Sequence, residues 1–195
     1  MNQAASRAQR RRRTVLRALC AAASVAGLSP WLRGAGAAQA TIEQVKAAYL
    51  LKFPDFIEWP PHAFSNATAP FVIAVSGADD VYGELRELAP VNRVQGRRIE
   101  VLRLPHPEPG TVTHLVFVGS DRSSELPGWV AAYAGRPVVV VADTAGGLES
   151  GAMLNFVEVD NRLRFEAAPA AAEGAGLRLS SRLLGVAERV LKGLP

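Results

Sequence analysis

The sequence predicts an α/β domain: a mostly parallel sheet flanked by helices, flavodoxin-like or Rossmann-like, with a C-terminal antiparallel hairpin. Three observations carry this. Apolar runs with β-branched residues stand at 71–77, 114–119 and 137–142, and each closes on a small residue. Such runs are strands buried on both faces. Helical stripes lie between them, as parallel strands with right-handed crossovers require. Asp160-Asn161 then separates two further strand-like segments, which is the signature of a tight hairpin.

In chain order, residues 47–61 (AAYLLKFPDFIEWPP) are the stretch around which the rest is arranged. Thr41 and Gln44 stand in capping-box spacing at the start of a helix. Ile42, Val45, Tyr49, Phe53 and Phe56 recur every three or four residues, one apolar stripe. Pro54 lacks an N–H and clashes with the carbonyl of Leu50, so the helix stops or kinks there. Phe56, Ile57 and Trp59 follow, and Pro60-Pro61 closes the segment. After the strand at 71–77, residues 79–88 read as a helix with Val81, Leu85 and Leu88 on one face. Residues 97–104 (RRIEVLRL) alternate polar and apolar, as a half-exposed strand near a sheet edge does. A strand at 114–119, a short helix at 126–133 and the most buried strand at 137–142 come next. Residues 153–159 and 162–167 form the hairpin. An Ala-rich turn at 169–175 is broken by Gly176, and 177–191 read as a last helix with Leu179, Leu183, Val186 and Val190 inward.

The first forty residues read as a secretory signal peptide, leaving one α/β domain over 41–195. Arg10 to Arg13 form a basic run, a short Ala-rich apolar segment follows, and Ala38-Gln39-Ala40 offers small residues for cleavage between Ala40 and Thr41. The segment is too short and too weakly apolar to span a bilayer. Arg12-Arg13-Thr14-Val15-Leu16-Arg17 resembles a twin-arginine export signal. The expected location is the periplasm, without stable membrane insertion of the mature chain.

The net charge of +4 belongs to this leader, which holds seven of the 22 basic residues and none of the 18 acidic ones. The remainder is mildly acidic, which argues against nucleic-acid binding. The single cysteine, Cys20, lies in the leader, so the mature chain has no disulfide or thiol chemistry.

Enzyme signatures are missing: there is no nucleophile elbow, P-loop or dinucleotide glycine pattern. His62, His106 and His114 have no second His or Cys at metal-ligand spacing. The expectation is therefore no catalytic residue, no metal and no cofactor. In open α/β sheets ligands sit beyond the carboxyl ends of the strands. That places a candidate small-ligand pocket at Gly77, Ser120 and Asp143, although such residues also serve as caps and turns. Aromatic anchors with a charged rim are what interfaces favour. Phe53, Asp55, Phe56, Glu58 and Trp59 are therefore the candidate partner-binding set, against the alternative that the aromatics are all core.

The succession KAAYLLKFPDFIEWP, PFVIAVSG, GRRIEVLRL, HLVFVG, GRPVVVVAD, GAMLNFVEVDNRLRFE and GLRLSSRLL resembles the YfiR-like (YfiR/HmsC) family of periplasmic regulatory proteins across nearly the whole mature chain. The aromatic-EWP element, the M-L-N-F hairpin and the L-R-L-S-S-R-L-L segment are its most specific pieces. The resemblance implies a regulator that acts by binding, with repression of an inner-membrane diguanylate cyclase and hence of cyclic-di-GMP and biofilm formation. The alternative reading is a periplasmic small-molecule binding or sensor module accompanying a histidine kinase or transporter. Expected partners are the periplasmic portion of such a membrane protein, with a homodimer as a further option. Two departures stand out. Some members carry disulfides that tie activity to redox state, which this chain lacks, and Pro54 sits inside the helix motif.

Overall fold

The structure, a computed structural model, describes residues 40–193. The expected leader with Arg12-Arg13 and Cys20 lies outside them. Ala40 and Thr41 are exposed. Thr41 caps helix α1 (Ile42–Lys52) as its spacing predicts: its hydroxyl accepts from the Gln44 N–H at 3.3 Å, and its own N–H donates to the Gln44 side chain at 3.1 Å. Pro54 ends α1, and Phe53–Phe56 tighten into a 3-10 turn before the two-residue strand β1 (Ile57–Glu58).

The main sheet begins at β2 (Phe71–Ser76), which leads through α2 (Asp79–Leu88) to β3 (Ile99–Arg103). Then come β4 (Leu115–Val118), α3 (Leu126–Ala132), β5 (Val139–Ala142), and the hairpin β6 (Leu154–Val159) and β7 (Arg162–Ala167). The strand order is β3-β2-β4-β5-β6-β7-β9, where β9 is Arg189–Val190. Neighbours from β3 to β6 are parallel, and β6 and β7 are antiparallel. The expected α/β architecture is thus present, with the alternating strand β3 at the edge. Asp160 and Asn161 both take left-handed φ (50° and 58°), the conformation a two-residue turn of matching twist requires.

The sheet is packed on both faces. On one, α1 and α2 bring Leu50, Val81 and Leu85 onto Ile73, Phe117 and Val141. On the other, α3 and its C-cap residue lay Leu126, Trp129 and Tyr133 against Val116, Val118 and Val140. Alternate side chains of one strand point to opposite faces, so a fully apolar strand such as β4 feeds both cores at once.

The expected last helix at 177–191 does not form. In its place stand β8 (Arg178–Leu179), the four-residue helix α5 (Ser181–Leu184) and β9, following α4 (Pro169–Gly174). The backbone of this stretch has better partners elsewhere. The Ser180 N–H donates to Phe56 O (2.9 Å), Glu188 N–H to Phe165 O (2.8 Å) and Leu191 N–H to Ala167 O (2.8 Å). Strand pairing has overridden helical spacing, and Val186, expected inward, is 68% exposed.

Candidate functional site

The segment from α1 to Pro61 divides its side chains between core and surface. Phe53 is only 2% exposed and sits among Tyr49, Phe156 and Phe165, with ring centroids 5.0–5.7 Å away. It therefore leaves the expected contact set: a side chain so enclosed has no face for a partner. Ile57 is equally buried. Phe56, by contrast, is 37% exposed, and the Asp55 and Glu58 side chains are 35% and 72% exposed. Trp59 is half-buried. Its indole N–H donates to Pro137 O at 3.1 Å, and its ring stands perpendicular to Phe71 at 5.2 Å. Partial burial with a satisfied polar edge fixes the indole without covering it.

Two sets of hydrogen bonds hold this backbone. β1 pairs antiparallel with β8, Ile57 opposite Leu179 and Glu58 opposite Arg178. From the other side, the Gln95 side-chain amide donates to Pro54 O (2.9 Å) and Ile57 O (3.0 Å). Gln95 reaches them from a tight turn in which its own φ is +48°. The surface ion pairs are weak anchors by comparison: Lys52–Asp55 at 3.4 Å and Arg178–Glu58 at 3.7 Å, both largely in water. Between β1 and α4–β8 lies a cavity of 360 Å³ lined by Glu58, Trp59, Pro60, Glu173, Leu177 and Arg178.

The three residues expected to share a ligand pocket do not share one. Gly77 lines a 530 Å³ cavity beyond β2 and β3, with Ser76, Arg103, Leu104, Asp121 and Arg122. Ser120 and Asp143 line a second cavity, with Ile42, Lys46 and Thr144. The loops after β2 and β4 pack directly together: a Cβ on Gly119 would lie 2.6 Å from the Ala78 Cβ. That leaves no common space at the switch in strand order. Asp143 is moreover held by Lys46 at 2.6 Å, both side chains mostly buried, which is the arrangement of a structural ion pair.

His114 is also structural. Its Nδ1 accepts from the Val72 N–H at 3.0 Å, so Nε2 carries the proton and donates to Ala63 O at 3.1 Å. Phe64 and Phe71 stack on the ring at 4.5 and 5.2 Å. Burial holds its pKa below the usual imidazole value, the Ala63 carbonyl opposes this, and the Arg97 charge adds to the lowering. Among the described residues, no three His, Cys, Asp or Glu side chains are placed to hold a metal ion.

Two residues that sequence reasoning passed over shape the site. Gln95 was marked only by its place beside Gly96 in a turn. Asn155, 1% exposed, was marked by being polar in an apolar strand; it brackets Thr144 through its N–H (3.3 Å) and carbonyl (3.0 Å).

Residues 43–188 match the sequence profile of the family described as YfiR/HmsC-like. A search of curated proteins gives no match. Among solved structures, the chain is similar to the ABC domain in complex with L-Trp from Streptococcus pneumonia, at 13% identity and a TM-score of 0.51 over 76% of this chain. The match covers 60% of that structure's length, and at this identity it shows a shared α/β fold alone.

Proposed function

Because the chain belongs to the YfiR/HmsC-like family, whose members are periplasmic regulators of cyclic-di-GMP signalling rather than catalysts, we propose that it represses an inner-membrane diguanylate cyclase by binding the periplasmic portion of that protein. The contact surface is formed by Asp55, Phe56, Glu58 and Trp59. One observation carries this reading: an aromatic side chain stands 37% exposed on a backbone gripped from both sides by Gln95 and β8. A surface held rigid in advance loses little freedom on binding. A protein with no turnover can act only by favouring one of two states of its partner, and a rigid face is suited to that.

A cyclic-di-GMP assay in the native host tests it. Asp55→Lys combined with Glu58→Lys, in a protein of unchanged melting temperature, is expected to raise cyclic-di-GMP to the level of a deletion strain. Full repression by the folded double variant would move the surface elsewhere. A second reading, a small-molecule sensor accompanying a histidine kinase or transporter, draws support from the cavity at Gly77, where the buried Ser76 hydroxyl has no hydrogen-bond partner among the described residues. A ligand that co-purifies and is lost on Ser76→Val would favour it.

A further inference from the structure

The cavity between β1 and α4–β8 has a composition that the aromatic segment alone does not explain. Glu58 and Glu173 stand at its rim, both exposed, and Trp59 forms a wall that is pinned at its indole N–H. Gly176 contributes no side chain; even a Cβ built there would meet nothing within 4 Å. The space thus stays open beside an aromatic ring and two carboxylates. Among the described residues, neither carboxylate is tightly held. Among the described residues, Glu58 pairs only with Arg178, at 3.7 Å, with both side chains more than 70% exposed.

We infer that this cavity receives a cationic side chain, Arg or Lys, from the periplasmic segment of the membrane partner. The inference rests on the reading above and deepens it by naming the partner's chemistry. A guanidinium or ammonium beside a tryptophan ring gains cation–π attraction, more so once the pair is drawn out of water. Flanking carboxylates add charge-assisted hydrogen bonds, to which the planar guanidinium is best suited. The loose Arg178–Glu58 pair already sets a guanidinium close to one of these carboxylates, so an incoming cation replaces a contact of the same kind. Arg178 then turns outward to solvent, where it mostly lies already, 77% exposed.

Two measurements test this. In the host, Glu58→Arg with Glu173→Arg is expected to weaken partner binding by about tenfold or more, since like charges would then face each other. Repression is lost, and selection for its return yields partner variants in which a periplasmic Lys or Arg has become Asp or Glu. Full repression by the folded double variant overturns the inference, as do suppressors that never touch a basic residue. If deleting the gene leaves cyclic-di-GMP unchanged, the regulatory reading itself has failed. In vitro, the wild-type chain is titrated with acetyl-arginine amide and with its neutral isostere acetyl-citrulline amide. The Trp59 indole N–H resonance is expected to shift with the first only, and not in the Glu58→Gln, Glu173→Gln protein. Equal shifts with both probes, or none with either, overturn the cation site.

Discussion

The Nδ1 of His114 accepts the backbone N–H of Val72 at 3.0 Å, which makes this imidazole a member of the sheet's hydrogen-bond ladder. A protonated ring would turn a donor toward a donor. Burial lowers the pKa of this ring in the folded state from 6.5, the value it regains on unfolding. The unfolded chain therefore takes up a proton first as pH falls, and stability follows that difference. The stabilisation is complete above pH 6.5, declines as pH falls below it, and levels off below the folded-state pKa. Denaturant midpoints from pH 8 to pH 4 check this, with His114→Gln expected to remove part of the slope.

Gln95 is expected to matter more for regulation than its position suggests. Gln95→Leu takes the amide donor from Ile57 O and one of two donors from Pro54 O, which keeps the Ile57 N–H, a loss of about 1–3 kcal/mol. Hydrogen exchange should show faster opening of 54–58 while the β4 and β5 amides keep their protection. An unchanged exchange pattern would mean that β8 alone holds the segment.

Phe53 and Asp55 stand two residues apart and should behave as opposites. Phe53→Ala empties a site ringed by Tyr49, Phe156 and Phe165 and is expected to cost about 3–5 kcal/mol. Asp55→Lys is expected to stay within about 0.5 kcal/mol of wild type, as surface changes do. Urea unfolding of the two variants measures both.

Gly77 cannot be replaced by a bulky residue without harm. It holds φ at +63°, and a Cβ there would lie 2.9 Å from the Arg122 backbone nitrogen. Gly77→Val is therefore expected to lower the melting temperature by several degrees, because strain and clash act together. This makes Gly77 a poor position for probing ligand binding, and Ser76→Val the better one.

The sequence carried the sheet plainly, because strands such as β4 and β5 are apolar throughout and have one way to be buried. The capping box at Thr41 and the turn at Asp160-Asn161 were legible for a similar reason: their chemistry is local. Residues 177–191 were not legible. Their spacing suits a helix, and only the carbonyls of Phe56, Phe165 and Ala167, distant in sequence, decide otherwise. The candidate site was legible in part. Periodicity placed Phe53 and Phe56 on one stripe, but Pro54 turns the chain between them, so one faces the core and the other water. The separation of Gly77 from Asp143 depended on how closely two loops pack, which composition does not reveal.

Tyr49 and Phe53 close against Phe156 and Phe165, so part of the first helix's seat lies on the hairpin roughly a hundred residues further along. Until β6 and β7 exist, the rings of Tyr49 and Phe53 lack their partners Phe156 and Phe165. The proposed contact surface is therefore attached to an element whose packing includes the hairpin. On the proposed reading, an intact contact surface reports that the chain has been completed as far as the hairpin that seats Tyr49 and Phe53.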